Sequence, residues 1–163
     1  MTPGIVPMAA SGASVSLLAP GLILLPRRLG LPWDWDRLAL PARVALPVFV
    51  VGHAVIMIGM AAVDLPEALD VPLHGLLVLG AILFWLPVLG RRCRLSDPGR
   101  TAYLFLAAPS LDLAGVWIVA TGNSRGGLAM IVAMLPIGLA AVAITWRWMA
   151  REESLARQAE PLP

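Results

Sequence analysis

The sequence predicts an all-α integral membrane protein, a helical bundle of about five transmembrane helices with the N-terminus outside and the C-terminus in the cytoplasm. Three observations lead to this prediction: the composition, the length of the apolar stretches and the placement of arginine. Of the 163 residues, 59% are hydrophobic and only 13% are charged, and the mean hydropathy is +0.83. Soluble domains of this length are far more polar, so lipid must be the solvent for most of the surface.

Five stretches of the chain are apolar over about 20 residues, which is the length needed to cross a hydrocarbon core of about 30 Å at about 1.5 Å per residue. No polar segment between them is long enough for a separate soluble domain, so residues 1–163 are predicted to form a single membrane domain with a cytoplasmic tail over 147–163. The predicted helices lie near residues 5–25, 44–63, 71–89, 101–120 and 126–146.

The placement of arginine predicts the orientation. All twelve basic residues are Arg, and eleven of them fall in the segments 26–43, 90–100 and 147–163. Short positively charged loops stay in the cytoplasm, so these three segments are predicted to lie inside. The segment 63–70 carries only acidic charges and, with the loop that contains Arg125, is predicted to face outward.

Two ionisable residues lie in the middle of predicted helices, where an unpaired charge costs several kcal/mol. His53 is the tenth residue of its helix and Asp112 the twelfth of its own, and both helices run from inside to outside. The two side chains are therefore predicted to lie near the midplane and to contact each other directly or through one water. The alternative is that each one forms a structural hydrogen bond to a neighbouring helix.

Soft metal-binding side chains follow His53 along its helix. His53, Met57, Met60 and Asp64 are spaced by four, three and four residues, which places them within a stripe about 60° wide. Imidazole and thioether together suit monovalent copper. Three more residues of these types are predicted near the outer side: His74, Met130 and Met134. The alternative is that the methionines only fill gaps in an apolar core.

Residues 53–153 resemble the later helices of the CtaG-type cytochrome c oxidase assembly protein family. That family has two separated His residues, then an apolar run that ends in Phe-Trp-x-Pro, and a last helix with Gly-Leu-x-Met and Pro-x-Gly. The matching elements here are His53, the acidic loop 64–70, His74, Phe84-Trp85-Leu86-Pro87, Arg94-Leu95-Ser96, Tyr103-Leu104, 127–130 and 136–138. Ala19-Pro20 resembles part of an earlier helix of the family.

The resemblance implies a non-enzymatic protein of a cell's inner (cytoplasmic) membrane, with multiple passes, that assists assembly of a haem–copper oxidase. The implied partners are oxidase subunits and the lipid bilayer, with no nucleic acid. The implied metal is copper, and no other cofactor is expected. Asp112 would orient His53. The residues that would hold copper transiently on the outer side are His53 and His74, helped by Met57, Met60, Met130 or Met134.

Two other functions stay open at this stage. The first is a permanent, non-catalytic accessory subunit of the oxidase or of another membrane complex. Alignment on Ala19-Pro20 supports it, because Met8 and Gly12 then stand where the family carries a pair of His residues. The second is a proton-conducting or transport protein with His53 and Asp112 as relay groups, which would need a water-filled path.

Overall fold

The computed structural model of the chain describes residues 4–32, 34–63, 66–92 and 94–159, without the side chains of Glu67 and Ala159. Within these ranges five helices are long and apolar enough to span a membrane and no strand occurs, which confirms the predicted fold class. The helices are α1 (Ile5–Arg28), α2 (Ala42–Ala62), α3 (Glu67–Leu89), α4 (Asp97–Ala120) and α5 (Ser124–Ala159). A turn of 3-10 helix, Trp35–Leu38, lies between α1 and α2.

Local signals set several helix ends. Both α1 and α4 finish at a glycine in the left-handed conformation, Gly30 (φ +67°) and Gly122 (φ +106°). In each case the next residue donates a backbone hydrogen bond to the carbonyl five residues earlier, which is the Schellman ending. At its other end, α4 begins at Asp97 and not near residue 101, because the Ser96 hydroxyl accepts a hydrogen bond from the Gly99 N–H at 3.4 Å.

The last helix is longer than its apolar stretch. The sequence predicts a span that ends near residue 146 and a polar tail after it, whereas α5 continues as a regular helix to Ala159. One reason is an ion pair one turn apart between Arg157 and Glu153, at 2.5 Å, of the kind that stabilises exposed helices. The polar tail is therefore helical as far as it is described.

The five helices form a ring in which each helix packs mainly against two others, in the order α1, α3, α2, α4, α5 and back to α1. Small residues allow close approach at the contact between α1 and α5. A Cβ on Gly12 would lie 2.8 Å from the Cβ of Ala133, and the Ser16 hydroxyl donates to the Ala133 carbonyl at 2.6 Å. Small residues and hydroxyl hydrogen bonds of this kind are typical of helix contacts in membranes.

A turn of π-helix in the middle of α1, Ser14–Leu18, is stabilised by a neighbouring helix. In this register each N–H donates to the carbonyl five residues earlier. The carbonyl of Val15 would then receive its hydrogen bond from residue 20, but Pro20 has no N–H. The indole N–H of Trp85 on α3 takes that place at 2.8 Å. The bond is buried and ties α1 to α3.

The two ends of the bundle differ in charge. The described residues of the segments 26–43, 90–100 and 147–159 lie at one end, named here the arginine-rich end. There Arg151 of α5 pairs with Asp97 of α4, and Arg27 of α1 pairs with Asp36 of the 3-10 turn. Residues 66–70 and the turn between α4 and α5 lie at the opposite end. Which end faces the cytoplasm stays a prediction from the placement of arginine.

Candidate functional site around His53

His53 lies at the middle of α2 and is 1% exposed. Neither of its ring nitrogens has a hydrogen-bond partner in the described part of the chain. Its ring neighbour one turn earlier is Phe49, with ring centroids 5.9 Å apart, and this neighbour offers no hydrogen bond in the ring plane. A buried polar group without a partner costs about 1–3 kcal/mol, so this imidazole calls for a ligand or another functional explanation.

A cavity of about 240 Å³ between α2 and α3 reaches His53. Among the described residues that line it, His53 is the only ionisable one, and the others are apolar. Val48 and Leu76 border the cavity and are 61% and 57% exposed on the outer surface of the bundle. Because that surface faces lipid, the cavity approaches the imidazole from the side of the bilayer.

Met57 lies one turn from His53 on the same face of α2, and its side chain is also 1% exposed. Met60 is partly buried and packs against the core. The predicted stripe therefore faces the interior of the bundle at all three positions, while Asp64, its fourth member, lies outside the described residues. His53 and Met57 place an imidazole and a thioether on successive turns, which is a donor pair that fits monovalent copper.

Like the methionines of α2, Met130 and Met134 of α5 are absent from the lining of the cavity at His53, and both are buried in the core. The Met130 carbonyl lies 2.9 Å from where a Cβ on Gly12 would be, and its terminal methyl lies 3.2 Å from the corresponding point on Gly115. These contacts explain Met130 by helix packing.

His74 lies near the start of α3 and has both ring nitrogens engaged. Its Nδ1 donates to the backbone carbonyl of Asp70 at 2.8 Å, and the Asp70 carboxylate lies 3.6 Å from the same nitrogen. Its Nε2 lies 3.1 Å from the Ser11 hydroxyl, which also donates to the Pro7 carbonyl at 3.0 Å. His74 therefore links α3 to α1 at the opposite end of the bundle and does not line the cavity at His53.

Asp112 does not form the predicted direct hydrogen bond with His53. In the described part of the chain its Oδ1 atom is buried without a hydrogen-bond partner, as are both nitrogens of His53. The prediction was wrong in this direct form because equal depth does not fix the rotation of a helix about its axis. Asp112 belongs to α4, on one flank of α2, whereas the cavity at His53 opens on the other flank, towards α3.

The Phe84-Trp85 element has a clear structural role. The ring of Phe84 lies between those of Phe49 and Tyr103, with centroids 5.0 and 5.3 Å away, and Trp85 meets it edge-on at 5.6 Å. The Tyr103 hydroxyl donates to the Phe84 carbonyl at 2.9 Å. This aromatic cluster joins α2, α3 and α4, and its member Phe49 is the ring neighbour of His53. The sequence pattern pointed to the element without showing which residues it would contact.

The described residues include no group of three or more His, Cys, Asp or Glu side chains placed to hold a metal ion. A metal at His53 would thus depend on methionine sulfur. No protein-family model, curated protein or solved structure matches the chain. The resemblance to the CtaG-type family stays a prediction that rests on the residues quoted above. The helices define the chain as a multi-pass membrane protein.

Proposed function

We propose that this membrane protein assists the assembly of a haem–copper cytochrome c oxidase by holding monovalent copper transiently, with His53 and Met57 as its main ligands. It would carry copper as cargo and catalyse no reaction. The observation that carries the proposal is the imidazole of His53, which has both nitrogens unpartnered and lies one helical turn from a buried thioether, that of Met57. The family resemblance is the reason for proposing an oxidase as the partner, and the imidazole and thioether ligands are the reason for proposing copper as the metal.

Charge explains why such binding would be transient. Imidazole and thioether are both neutral ligands, so Cu(I) bound to them keeps its positive charge in a medium of low dielectric constant, which is costly. Asp112 on the neighbouring helix carries a buried carboxylate oxygen that also lacks a partner. An ionised carboxylate on that helix would offset only part of the cost, because Asp112 makes no hydrogen bond with His53. The result would be a site that binds copper and releases it to a stronger one.

His74 fits the role of a second ligand closer to the membrane surface. Its Nδ1 carries the proton that it donates to the Asp70 carbonyl, so in the neutral ring Nε2 is an acceptor. The Ser11 hydroxyl lies 3.1 Å from Nε2 and 3.0 Å from the Pro7 carbonyl, and these two acceptors share its one proton. Copper binding at Nε2 would therefore displace the Ser11 hydroxyl, which would keep its hydrogen bond to Pro7.

The direct test is binding of Cu(I) to the protein purified in mild detergent, by competition with a chromophoric Cu(I) chelator under reducing conditions. We expect roughly one equivalent of copper, lost in His53→Leu and weakened less in Met57→Leu, since thioether is one of several soft donors. Val55→Ala is the matched control, because Val55 is exposed on the same helix. Absence of Cu(I) binding to the wild-type protein, or Cu(I) binding by His53→Leu equal to that of wild type, would overturn the proposal.

A second function, a permanent accessory subunit, is favoured by the packing of the Met130 terminal methyl against Gly115, which explains that soft residue without a metal. Gentle purification of the oxidase followed by mass spectrometry separates the two. Stoichiometric recovery with normal copper content in His53→Leu and His74→Ala strains supports the subunit. Absence from the mature enzyme, together with copper-deficient oxidase in a deletion strain, supports the assembly protein.

A further inference from the structure

A second cavity, of about 420 Å³, lies at the arginine-rich end, where α1 and α3 finish and the chain between α1 and α2 crosses them. Three arginines line it: Arg27, Arg91 and Arg92. It is separate from the site at His53, and none of its lining residues is among the proposed copper ligands. The class of ligand can be inferred from the residues at its floor, from its net charge and from the residues at its rim.

The floor is a fixed ion pair. The Asp36 side chain is 4% exposed and accepts hydrogen bonds from the Arg27 guanidinium at 3.3 Å and from the Arg91 backbone N–H at 3.1 Å. Arg27 also donates to the Leu89 carbonyl at the end of α3. At Gly90 a Cβ would lie 2.8 Å from the Asp36 carboxylate, so the chain passes too close for any larger residue. Arg27 and Asp36 neutralise each other.

The remaining charge in the cavity is positive. Asp34, the other acid in its lining, accepts a hydrogen bond from the Asp36 N–H at 3.1 Å and lies 3.5 Å from Arg92 and 3.8 Å from Arg37. The guanidinium of Arg91 forms no ion pair with any residue that the structure describes. Both carboxylates are thus already paired, and the guanidinium of Arg91, which lines the cavity, has N–H donors free for a ligand.

The rim of the cavity is apolar. Leu31 lines it and is 51% exposed, and the adjacent Leu29 is 64% exposed. Gly30 between them is in the left-handed conformation, with open space where a Cβ would be. The cavity also lies at the level where the apolar spans of α1 and α3 end, which is the depth of lipid headgroups.

The geometry points to a binding site for an anionic phospholipid, with the phosphate held by Arg91 and Arg92 and the acyl chains lying against Leu29 and Leu31. Guanidinium groups bind phosphate with two parallel hydrogen bonds, and basic pockets at helix ends are a recurring form of lipid recognition. A free phosphate ester would satisfy the arginines equally well. The exposed leucines at headgroup depth favour the lipid.

The test is native mass spectrometry of the protein in mild detergent, titrated with phosphatidylglycerol or phosphatidylcholine. We expect one retained phosphatidylglycerol, and in Arg91→Gln a loss of affinity of about fivefold, the equivalent of about 1 kcal/mol. Arg43→Gln is the matched control, because Arg43 is exposed at the same end of the bundle and does not line the cavity. Its affinity for the lipid should match wild type.

Three results would overturn the inference. Equal retention of the two lipids would show that no anionic headgroup is recognised. Equal losses in Arg91→Gln and Arg43→Gln would show only a diffuse attraction of the arginine-rich end. Displacement of phosphatidylglycerol by millimolar glycerol phosphate, added as a soluble competitor, would assign the cavity to a soluble phosphate ester.

Discussion

The indole N–H of Trp85 donates to the backbone carbonyl of Val15 at 2.8 Å and replaces the amide hydrogen bond that Pro20 cannot supply. Both groups are buried between α1 and α3, where lipid and apolar side chains offer no other partner. We expect Trp85→Phe to lower the free energy of unfolding by about 1–3 kcal/mol, because it leaves a buried carbonyl unsatisfied. Thermal unfolding in detergent measures the change.

The same relationship predicts a specific rescue. Pro20→Ala restores an amide at residue 20, which then donates to the Val15 carbonyl, so Trp85→Phe should cost less in that background than in wild type. Such non-additivity is expected only for groups that share a partner. Trp117→Phe serves as control, because Trp117 lies on the outer surface of α4 and is 39% exposed. Equal costs in both backgrounds would mean that the Val15 carbonyl is satisfied by something else.

Two glycines of α1 should respond oppositely to alanine. A Cβ on Gly12 would lie 2.8 Å from Ala133 Cβ and 2.9 Å from the Met130 carbonyl, whereas one on Gly21 meets nothing within 4 Å. We expect Gly12→Ala to destabilise the protein by about 1–3 kcal/mol through overpacking against α5. Gly21→Ala should leave stability unchanged or slightly raised, because alanine favours a helix. Melting temperatures of the two variants, measured side by side, decide the matter, and similar values would contradict the close α1–α5 contact.

The fold class could be predicted because lipid imposes long apolar helices, but the order of helices around the ring could not. Leu111 and Leu113 on α4 show why: the first is fully buried and the second is 65% exposed. In a soluble protein a buried position and an exposed position usually carry residues of different polarity. In a membrane protein a leucine fits both the face that packs inside the bundle and the face that contacts lipid. The helix ends were missed where short-range polar contacts, such as the Ser96 cap, extend a helix beyond its apolar stretch.

The sequence predicted how deep in the membrane the candidate site lies, but not which helices its side chains face. The depth of His53 near the midplane follows from its place in an apolar span, but the missing bond to Asp112 depends on helix rotation, which spacing along one helix cannot supply. The buried carboxylate of Asp36 was missed altogether, because an acidic residue in an arginine-rich loop normally lies in solvent. Its burial depends on Arg91, 55 residues further along the chain. The tryptophan next to it, Trp35, is the feature of the local sequence that indicates packing of this loop against the bundle.

The orientation across the membrane is a prediction from the placement of arginine, and reporter fusions test it. A reporter enzyme active only outside the cytoplasm should give no signal when fused after residue 163 and a strong one when inserted after Asp70. The reason is that eleven of the twelve arginines occupy segments predicted to resist translocation. Inverted signals from the two fusions would reverse the assignment of the two ends and leave the bundle itself unchanged.

The ion pair between Asp36 and Arg27 should contribute to stability, in contrast to exposed pairs. We expect Asp36→Asn to lower the free energy of unfolding by about 1.5–3 kcal/mol, because it weakens charged hydrogen bonds that are shielded from water. Glu153→Gln removes one partner of the exposed pair with Arg157 and should change stability little. Thermal unfolding at low and high salt is the measurement. A loss for Asp36→Asn that disappears at high salt would mean that the pair is solvated.

We expect His53 to destabilise the metal-free protein. Both of its ring nitrogens are buried without a partner, so we expect His53→Leu to raise the free energy of unfolding by about 1 kcal/mol when copper is removed with a chelator. His74→Leu should do the opposite, because it breaks the bonds to Asp70 and Ser11 that link α3 to α1. Added Cu(I) should then stabilise wild type and leave His53→Leu unaffected, since a ligand stabilises only the state that binds it. If His53→Leu instead destabilises the metal-free protein as much as His74→Leu does, the imidazole already has a partner inside the bundle, such as a buried water, and is not held free for a ligand.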